Sequence, residues 1–266
     1  MTTTTRPLAI VTGASGGIGR EIALALATRG YDLLLIARNA SGLARTAEAA
    51  GAAGARSHCL PLDLSGPADA IRANLQAALD ADGRVPAVLV NNAGFGIAGR
   101  FDRIDPAAID GQIAVDIAAL TILTRAVLPA MVAAGRGRVL NLASTAAFVP
   151  GPGLAVYYAA KAYVVSLGRA LAVEMAGTGV TVTTLCPGPT RTGFAERAGM
   201  AGSRLFSGNP GLMTAGQVAR IGLEATFAGR PLVVPGRANR LGAILSRLAP
   251  PQLAARMVKR LHPDQS

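Results

Sequence analysis

The sequence is poor in cysteine, histidine and tryptophan, and each shortage narrows the class of protein. Its 266 residues include two cysteines, two histidines and no tryptophan. Cys59 and Cys186 lie in strand-like apolar segments, which indicates buried free thiols in a reducing compartment rather than a disulfide. His58 and His262 have no ligand-like cluster beside them, so the sequence predicts no bound metal.

The sequence also shows no long apolar run and no pattern typical of a leader. No apolar run reaches the roughly 18 residues typical of a membrane-spanning helix, and the N-terminus lacks the pattern of a secretory signal peptide. We therefore expect a cytoplasmic protein. With 51% hydrophobic residues, the chain has ample material for the core of one large domain.

Acidic residues are scarce relative to basic ones, which gives a formal net charge of +11. A charge of this size raises the question of nucleic-acid binding. The arginines are scattered, however, and aromatic residues make up only 4% of the chain. We therefore expect no nucleic-acid partner, and the positive field favours an anionic cofactor or an acidic partner instead.

A glycine-rich turn follows the first apolar run, PLAIVT at residues 7–12, and leads into the amphipathic segment that ends at Gly30. The spacing is not the usual G-x-G-x-x-G, and glycine turns also occur between strands and helices without a ligand. Glycines nevertheless let a pyrophosphate approach the backbone at a helix N-terminus, so we favour phosphate binding. The residues predicted to contact the cofactor here are Gly13, Ser15, Gly17, Ile18 and Gly19.

The second strand-like run, YDLLLIA at residues 31–37, is followed by Arg38 and has no acidic residue at its end. In dinucleotide-binding folds an acidic residue at this point binds the ribose of NAD, whereas an arginine accommodates the 2′-phosphate of NADP. Asp32 lies at the start of the strand, too far back for that role. The sequence therefore predicts NADP(H), with NAD as the less favoured cofactor.

The third and fourth predicted strands end in further candidate cofactor ligands. The run 57–64 ends in Asp63 and Leu64, where the carboxylate would accept from an adenine amino group or cap the next helix. The run 85–94 ends in Asn92, Ala93 and Gly94, where small residues and a side-chain amide would let a cofactor pass close to the backbone.

A tyrosine and a lysine stand four residues apart in the Ala-rich helical segment that begins at residue 155, so Tyr157 and Lys161 share one face. A nearby ammonium lowers the pKa of a phenol, which would make Tyr157 an acid and base usable near neutral pH. Ser144 follows the strand-like RVLNLA, where its hydroxyl would hold a carbonyl oxygen. Tyr-x-x-x-Lys also arises by chance, but this chain has only two lysines among 26 basic residues.

These motifs together resemble the short-chain dehydrogenase/reductase family over residues 7–235: TGASGGIG at 12–19, NNAG at 91–94, Ser144, YYAAK at 157–161 and PGPTRT at 187–192. The resemblance implies an NAD(P)-dependent oxidoreductase that is a homo-oligomer, dimer or tetramer. Tyr157 would be the acid and base, and Lys161 would bind the nicotinamide ribose and lower the tyrosine pKa. Ser144 would orient the carbonyl. The residues implied to line the nicotinamide side are Pro187, Gly188 and Thr190.

One position departs from the family, because Asp116 stands where an asparagine usually supports a proton relay. An ionised aspartate accepts hydrogen bonds but does not donate them. It would either stabilise the Lys161 ammonium or partly neutralise its effect on Tyr157, and we hypothesise that it still supports the relay. Tyr158 and Tyr163 fall on other helix faces and are predicted to be packing residues.

The glycine-rich segment 193–213 is predicted to form a mobile substrate lid. Its apolar residues suggest an apolar or mixed substrate: Phe194, Met200, Leu205, Phe206 and Met213. Thr214 is a candidate helix cap, and PLVVPG is predicted to add a last strand at the sheet edge.

The tail 236–262 carries an apolar stripe, Leu241, Ile244, Leu245 and Leu248, beside arginines. Such a stripe more often packs on its own domain or another subunit, so peripheral membrane contact is not favoured.

We therefore predict a Rossmann-type, doubly wound α/β domain over residues 1–235 and a helical C-terminal extension over residues 236–266. The sheet is expected to be mainly parallel with about seven strands. The predicted activity is interconversion of a ketone or aldehyde and an alcohol with NADP(H), in the reducing direction. Ketones on the acyl chain of an acidic carrier protein would suit the positive charge. The alternative is a catalytically weak NADPH-binding or membrane-associated protein.

Overall fold

Strands and helices alternate along most of the chain, as the buried apolar runs predict. The computed structural model describes residues 6–200, 202–203, 205–206, 212–246 and 250–260. Leu248, His262 and residues 207–211 of the predicted lid lie outside these ranges. The strands are β1 (Leu8–Thr12), β2 (Asp32–Ala37), β3 (Ser57–Pro61), β4 (Val88–Asn91), β5 (Gly137–Leu142), β6 (Val180–Leu185), β7 (Thr190–Arg191), β8 (Met213–Thr214) and β9 (Leu232–Val233).

Helices occupy most of the connections between these strands. They are α1 (Gly17–Thr28), α2 (Ala40–Gly51), α3 (Ala68–Asp82), α4 (Pro106–Ile113), α5 (Leu120–Ala133), α6 (Ala155–Glu174), α7 (Phe194–Arg197), α8 (Ala215–Phe227), α9 (Arg237–Leu245) and α10 (Pro251–Lys259). Short 3₁₀ turns cover Phe101–Arg103 and Thr145–Phe148. Thr214 caps α8 in a capping box with Gln217, which confirms the predicted start of that helix.

The main sheet has seven strands in the order β3-β2-β1-β4-β5-β6-β9. Every neighbouring pair in it is parallel, and β9 lies at the edge against β6, as predicted. The strand order reverses between β1 and β4, where the chain returns from β3 across the sheet. In a doubly wound fold this reversal opens a crevice at the carboxyl ends of the strands, where ligands bind.

Two apolar layers cover the faces of the sheet, because neighbouring residues of a strand point to opposite sides. On one face, Val11 of β1 packs in a cluster with Ile22 and Leu26 of α1. On the other face, Ile10 belongs to a cluster that includes Val127 of α5. Burial on both faces explains why these strands read as continuous apolar runs.

One long helical stretch, 106–133, joins α4 and α5 and contains a π-helical segment, Ala114–Ala119. Within the described residues it is the helix long and apolar enough by composition to cross a membrane. Its residues Leu123, Val127 and Met131 are buried against the sheet instead. The π segment was not predicted, and it places Asp116 in its first turn.

A buried carboxylate, Asp32, ties together the amino-terminal edge of the sheet. It accepts hydrogen bonds from the backbone N–H of Arg56 at 2.9 Å and from Nη1 of Arg84 at 2.8 Å. Burial alone would raise the pKa of Asp32, but these hydrogen bonds hold the pKa below its ordinary value. Asp32 therefore serves the fold at the end of β2 opposite the ligand crevice.

The described residues of the C-terminal stripe do not pack onto the domain. Leu241, Ile244 and Leu245 of α9 are exposed, whereas Ala254 and Val258 of α10 are buried. Val258 packs in a cluster with Leu154 and Tyr158. The described apolar residues of α9 thus do not pack on their own domain, and contact of the stripe with another subunit stays a prediction.

Candidate active site

The carboxyl ends of the central strands open onto one cavity of about 620 Å³, within the roughly 300–1,000 Å³ range of small-molecule sites. It brings most of the predicted site residues together. Those that line it are Gly13, Ser15, Gly17, Ile18, Arg38, Asp63, Leu64, Asn92, Ala93, Gly94, Ser144, Tyr157, Lys161, Pro187, Gly188 and Thr190. Gly19 and Asp116 are the predicted residues that do not line it.

The turn after β1 has the open backbone that phosphate binding requires. Gly13 and Gly17 have φ angles of 64° and 56°, where an L side chain would be strained. A Cβ on Gly13 would lie 2.6 Å from Nδ2 of Asn92, so glycine lets the ends of β1 and β4 meet. A Cβ on Gly19 would collide with the Gly13 carbonyl and with Asn92. Gly19 therefore allows α1 to pack on the turn and is not placed to touch a cofactor.

Hydrogen bonds to β1 fix the loop after β4. Oγ1 of Thr12 accepts from the backbone N–H groups of Asn92 and Ala93 at 2.9 and 3.0 Å. Nδ2 of Asn92 donates to the carbonyl oxygen of Thr12 at 2.9 Å. These bonds hold the cavity floor where a cofactor would cross the sheet. Thr12 was not predicted as a site residue, because its role depends on strand pairing.

Arg38 and Asp63 form the polar end of the cavity. The Arg38 side chain is 69% exposed, and its Nη1 lies 4.0 Å from Oδ2 of Asp63. Asp63 accepts from the backbone N–H and the hydroxyl of Ser65, and these bonds hold its pKa below the ordinary value. Asp63 does not cap α3, whose N-cap residue is Pro67. A largely exposed guanidinium at this end suits a phosphate oxygen as partner.

Tyr157, Lys161 and Ser144 meet at the opposite end of the cavity, carried by α6 and by the turn after β5. Nζ of Lys161 lies 5.4 Å from the centroid of the Tyr157 ring and donates to the carbonyl oxygen of Leu142 at 3.4 Å. Oγ of Ser144 lies 3.4 Å from the carbonyl oxygen of Pro187 and accepts from the N–H of Ala146. The spacing of four residues on α6 produces the predicted shared face.

Asp116 lies behind the cavity wall, where it pairs with Lys161. Its Oδ1 is 3.5 Å from Nζ of Lys161 and accepts from the backbone N–H of Phe95 at 3.3 Å. The side chain is buried, and Oδ2 has no hydrogen-bond partner within the described part of the chain. Gln112 lies near, but its Nε2 donates to the carbonyl oxygen of Phe95. Burial raises the pKa of Asp116, and the charge of Lys161 opposes that shift.

The pKa of Tyr157 is raised rather than lowered, which corrects the expectation based on Lys161. Desolvation of the phenolate is the largest cause, and the negative charge of Asp116 raises the pKa further. A hydrogen bond with Ser144 opposes both effects on the pKa. Burial of the phenol is thus the main reason for the raised pKa, and the Asp116 carboxylate, 3.5 Å from Nζ of Lys161, adds a smaller effect of the same sign.

The two neighbouring tyrosines have different surroundings. The hydroxyl of Tyr163 lies 2.9 Å from Oγ1 of Thr121, away from the cavity, as expected of a packing residue. Tyr158 was also predicted to be a packing residue, yet it lines the cavity. Its ring packs over Gly151, where a Cβ would overlap it. Burial raises the pKa of Tyr158 to about 12, so it is a neutral part of the wall.

The described part of the predicted lid forms the apolar side of the cavity. Its lining residues there are Phe194, Met200, Leu205 and Phe206. Met213 instead belongs to β8 and packs against the core cluster beneath α1. Val258 of α10 also lines the cavity. Sequence analysis missed Val258, because a pattern of apolar residues in a tail does not reveal which part of the domain the tail returns to.

A cofactor of the expected shape fits this arrangement. The glycines of the first turn leave backbone exposed at the N-terminus of α1, and a Cβ on Gly94 would crowd Nζ of Lys161 at 2.9 Å. Arg38 stands at one end of the cavity and Tyr157 at the other. The residues present therefore match a dinucleotide with its phosphates over α1 and its reactive ring near Tyr157.

Comparison with known proteins identifies the same architecture. A model of the short chain dehydrogenase family matches residues 7–201. The ketoacyl reductase HetN of Nostoc sp. is 38% identical over 188 residues, which are 71% of this chain and 65% of that protein. The chain thus spans slightly less than two thirds of that curated relative.

Solved structures match over nearly the whole chain. A short-chain dehydrogenase from Sphingobium yanoikuyae in complex with NADPH superposes with a TM-score of 0.79 at 31% identity, over 98% of this chain and 97% of that one. A short chain dehydrogenase/reductase from Burkholderia phymatum in complex with NAD superposes with a TM-score of 0.80 at 27% identity, over 92% and 94% of the two chains.

Proposed function

Because the chain belongs to the short-chain dehydrogenase/reductase family and is an oxidoreductase acting on CH–OH groups, we propose that it reduces a carbonyl with NADPH through Ser144, Tyr157 and Lys161. The observation that carries this proposal is one cavity with these three side chains at one end and a glycine turn and Arg38 at the other. The roles proposed for these residues rest on their positions around the cavity.

Each of the three residues has a distinct task. When bound, NADPH supplies the hydride that reaches the carbonyl carbon. Ser144 donates a hydrogen bond that orients the carbonyl oxygen, and the Tyr157 hydroxyl gives that oxygen its proton. Lys161, fixed by Leu142 and Asp116, supports the ribose and the negative charge that develops on Tyr157.

The protonation state of Tyr157 decides which proton transfer it can perform, whereas the net direction depends on the substrate and the cofactor. A raised pKa keeps the phenol protonated at neutral pH, which is the form needed to donate a proton to a developing alkoxide. Oxidation of an alcohol would need the phenolate, which is scarce below that pKa. The raised pKa therefore keeps Tyr157 in the protonated form that reduction of a ketone or aldehyde uses.

Arg38 supports NADP(H) over NAD(H). It lines the cavity immediately after β2, no acidic residue follows that strand, and its side chain is 69% exposed. An acidic residue at this position would accept from the ribose hydroxyls of NAD, and an arginine would instead pair with a 2′-phosphate. The structural relatives include complexes with either cofactor, so this preference rests on Arg38 itself.

The substrate is proposed to have a reactive carbonyl and an apolar body. Beside Tyr157 the cavity is lined by the apolar side chains Phe194, Leu154 and Met200, and the Phe194 ring lies 5.3 Å from that of Tyr157. One relative is named a ketoacyl reductase, which agrees with a ketone on an apolar chain. Such a substrate places its oxygen toward Ser144 and its apolar part against the lid residues.

The test is a comparison of Tyr157→Phe with a matched control, Tyr163→Phe, in the same helix but outside the cavity. We expect turnover of NADPH with ketones or aldehydes, a loss of about 100-fold or more in kcat for Tyr157→Phe, and little change for Tyr163→Phe. NADPH binding should be followed by fluorescence in all three proteins. Binding without turnover of any carbonyl by the unsubstituted protein would favour a binding protein over a reductase.

A further inference from the structure

The C-terminal part of the chain has a charge of one sign. Residues 225–263 contain no aspartate or glutamate and seven basic residues, so they account for +7 of the net charge of +11. The basic residues are Arg230, Arg237, Arg240, Arg247, Arg256, Lys259 and Arg260. The catalytic proposal uses none of them, which leaves the charge without an explanation in the reaction.

The same segment exposes large apolar side chains to an unusual extent. Five such residues are more than half exposed in α9 and α10: Leu241, Ile244, Leu245, Leu253 and Met257. They are half of the large apolar side chains exposed in the described part of the chain. Isolated apolar residues on a surface need no explanation, but a cluster on two consecutive helices marks an interaction surface.

The apolar and basic residues share the outer faces of these helices. Leu241, Ile244 and Leu245 are spaced by three and four residues on α9, with Arg237 one turn before Leu241. On α10, Leu253 and Met257 are four residues apart, as are the basic residues Arg256 and Arg260 beside them. Long arginine side chains cover apolar surface while their charged ends reach water or a phosphate.

The buried face of α10 determines which of its side chains point outward. Ala254 and Val258 are buried, and Val258 packs with Leu154 and Tyr158 beside the cavity. The residues Leu253 and Met257 therefore cannot turn inward while α10 keeps these contacts. The exposed face is a consequence of how the helix is attached, so it is available to an external surface.

We propose that α9 and α10 form a membrane-binding surface that lies on anionic lipid bilayers. Helices that lie in a lipid headgroup region combine large apolar side chains with basic residues, and α9 and α10 expose both kinds without an acidic residue. Each basic residue near an anionic surface adds attraction that is screened by salt. The apolar residues supply the part of the binding that neutral salt does not remove.

A second copy of the chain is a poorer partner for this surface. A two-fold symmetric interface brings the same patch of each subunit together, so the arginines of both copies would meet one another. An acidic soluble protein would complement the charge, but it would also need an apolar patch that matches five exposed side chains on two helices. A bilayer of anionic lipids complements both properties, since phosphates meet the arginines and acyl chains meet the leucines and isoleucine.

The experiment is co-sedimentation of the full chain with phosphatidylcholine vesicles and with vesicles that also contain phosphatidylglycerol. We expect binding to the anionic vesicles at low salt, weaker binding at high salt, and little binding to phosphatidylcholine alone. The double variant Ile244→Ser/Leu245→Ser should bind the anionic vesicles about tenfold or more weakly, because it withdraws two large apolar side chains. Arg240→Gln/Arg256→Gln should weaken binding and its dependence on salt.

Two control variants separate this surface from general surface properties. Val173→Ser changes an apolar residue that is 77% exposed on α6, and Arg45→Gln removes a basic residue on the exposed side of α2. Both should bind like the unsubstituted protein. Absence of vesicle binding at low salt would overturn the proposal. Self-association that is abolished by Ile244→Ser/Leu245→Ser, without vesicle binding, would assign the surface to a second copy and overturn it equally.

Discussion

Replacement of Asp116 by asparagine tests how the buried ion pair controls Tyr157. The carboxylate lies 3.5 Å from Nζ of Lys161 and accepts from the backbone N–H of Phe95. Asparagine has nearly the same shape, so its carbonyl oxygen can keep the bond to Phe95. The substitution therefore removes the negative charge and little else from the wall behind the cavity.

The size of the effect follows from the distance between the charges. Two unit charges 3.5 Å apart interact by about 5 kcal/mol at an effective dielectric constant of roughly 20. Breaking a buried pair by removing one partner costs about 3–5 kcal/mol. Since asparagine still offers an oxygen to Lys161 and avoids burying a carboxylate, we expect a smaller loss in the free energy of unfolding, about 2 kcal/mol.

The kinetic consequence is a shift of the pH profile to lower pH. Asp116 raises the pKa of Tyr157, so its neutralisation lets that pKa fall. Reduction requires protonated Tyr157, and its rate should begin to decline at a lower pH in the variant. Alcohol oxidation requires the phenolate, and its rate at neutral pH should rise about tenfold for each unit by which the pKa falls.

The assay is kcat measured across pH in both directions for Asp116→Asn and for a control, Asp110→Asn, which changes an exposed carboxylate on the same long helix. The control should leave both profiles unchanged. Profiles for Asp116→Asn that coincide with those of the unsubstituted enzyme would refute the electrostatic account of Tyr157. A shift of the Asp116→Asn profiles to higher pH would show that Asp116 stabilises the phenolate. That result would agree with the hypothesis that Asp116 supports the proton relay.

Three further substitutions test other parts of the structure. Arg38→Gln should raise KM for NADPH about tenfold and leave KM for NADH nearly unchanged, measured by initial rates with both cofactors. Asp32→Asn should lower the free energy of unfolding by about 2 kcal/mol at neutral pH, because it removes the buried carboxylate that pairs with Arg84 and Arg6, whose side chains are 22% and 28% exposed. Since the pKa of Asp32 is lowered in the folded protein, this difference in the free energy of unfolding should shrink as the pH falls below about 4. Urea denaturation at several pH values measures it. Gly94→Ala should lower kcat about tenfold and reduce Tm, because its Cβ would displace the pair formed by Asp116 and Lys161.

Much of the fold was predictable because local and global signals agree along the chain. Continuous apolar runs predicted the strands, and each run ends in small or polar residues that the parallel sheet collects at one edge. The seven-stranded parallel sheet is confirmed. Arg38, Gly13 and Tyr157 were predicted to lie at one site from their places after strands or on a helix face, and the structure gathers them around one cavity.

The missed features depend on contacts between segments that are distant in sequence. Val258 reaches the cavity only because α10 returns to the lid side of the domain. Tyr158 was assigned to packing because helix periodicity does not show that the turn near Gly151 brings its ring to the cavity wall. The direction of the Tyr157 pKa shift depends on burial and on Asp116, which the spacing of Tyr157 and Lys161 does not include.

The π-helical segment has a consequence for how this long helix divides its tasks. A π turn closes its hydrogen bond one residue later than an α turn, so it holds one additional residue. That extra residue allows the part after it to keep Leu123 and Val127 in register with the sheet. The part within it directs Asp116 toward Lys161. In a regular α-helix, the direction in which Asp116 points would fix the direction in which Leu123 and Val127 point. The π segment lets the helix face the sheet and Lys161 at angles that are set separately.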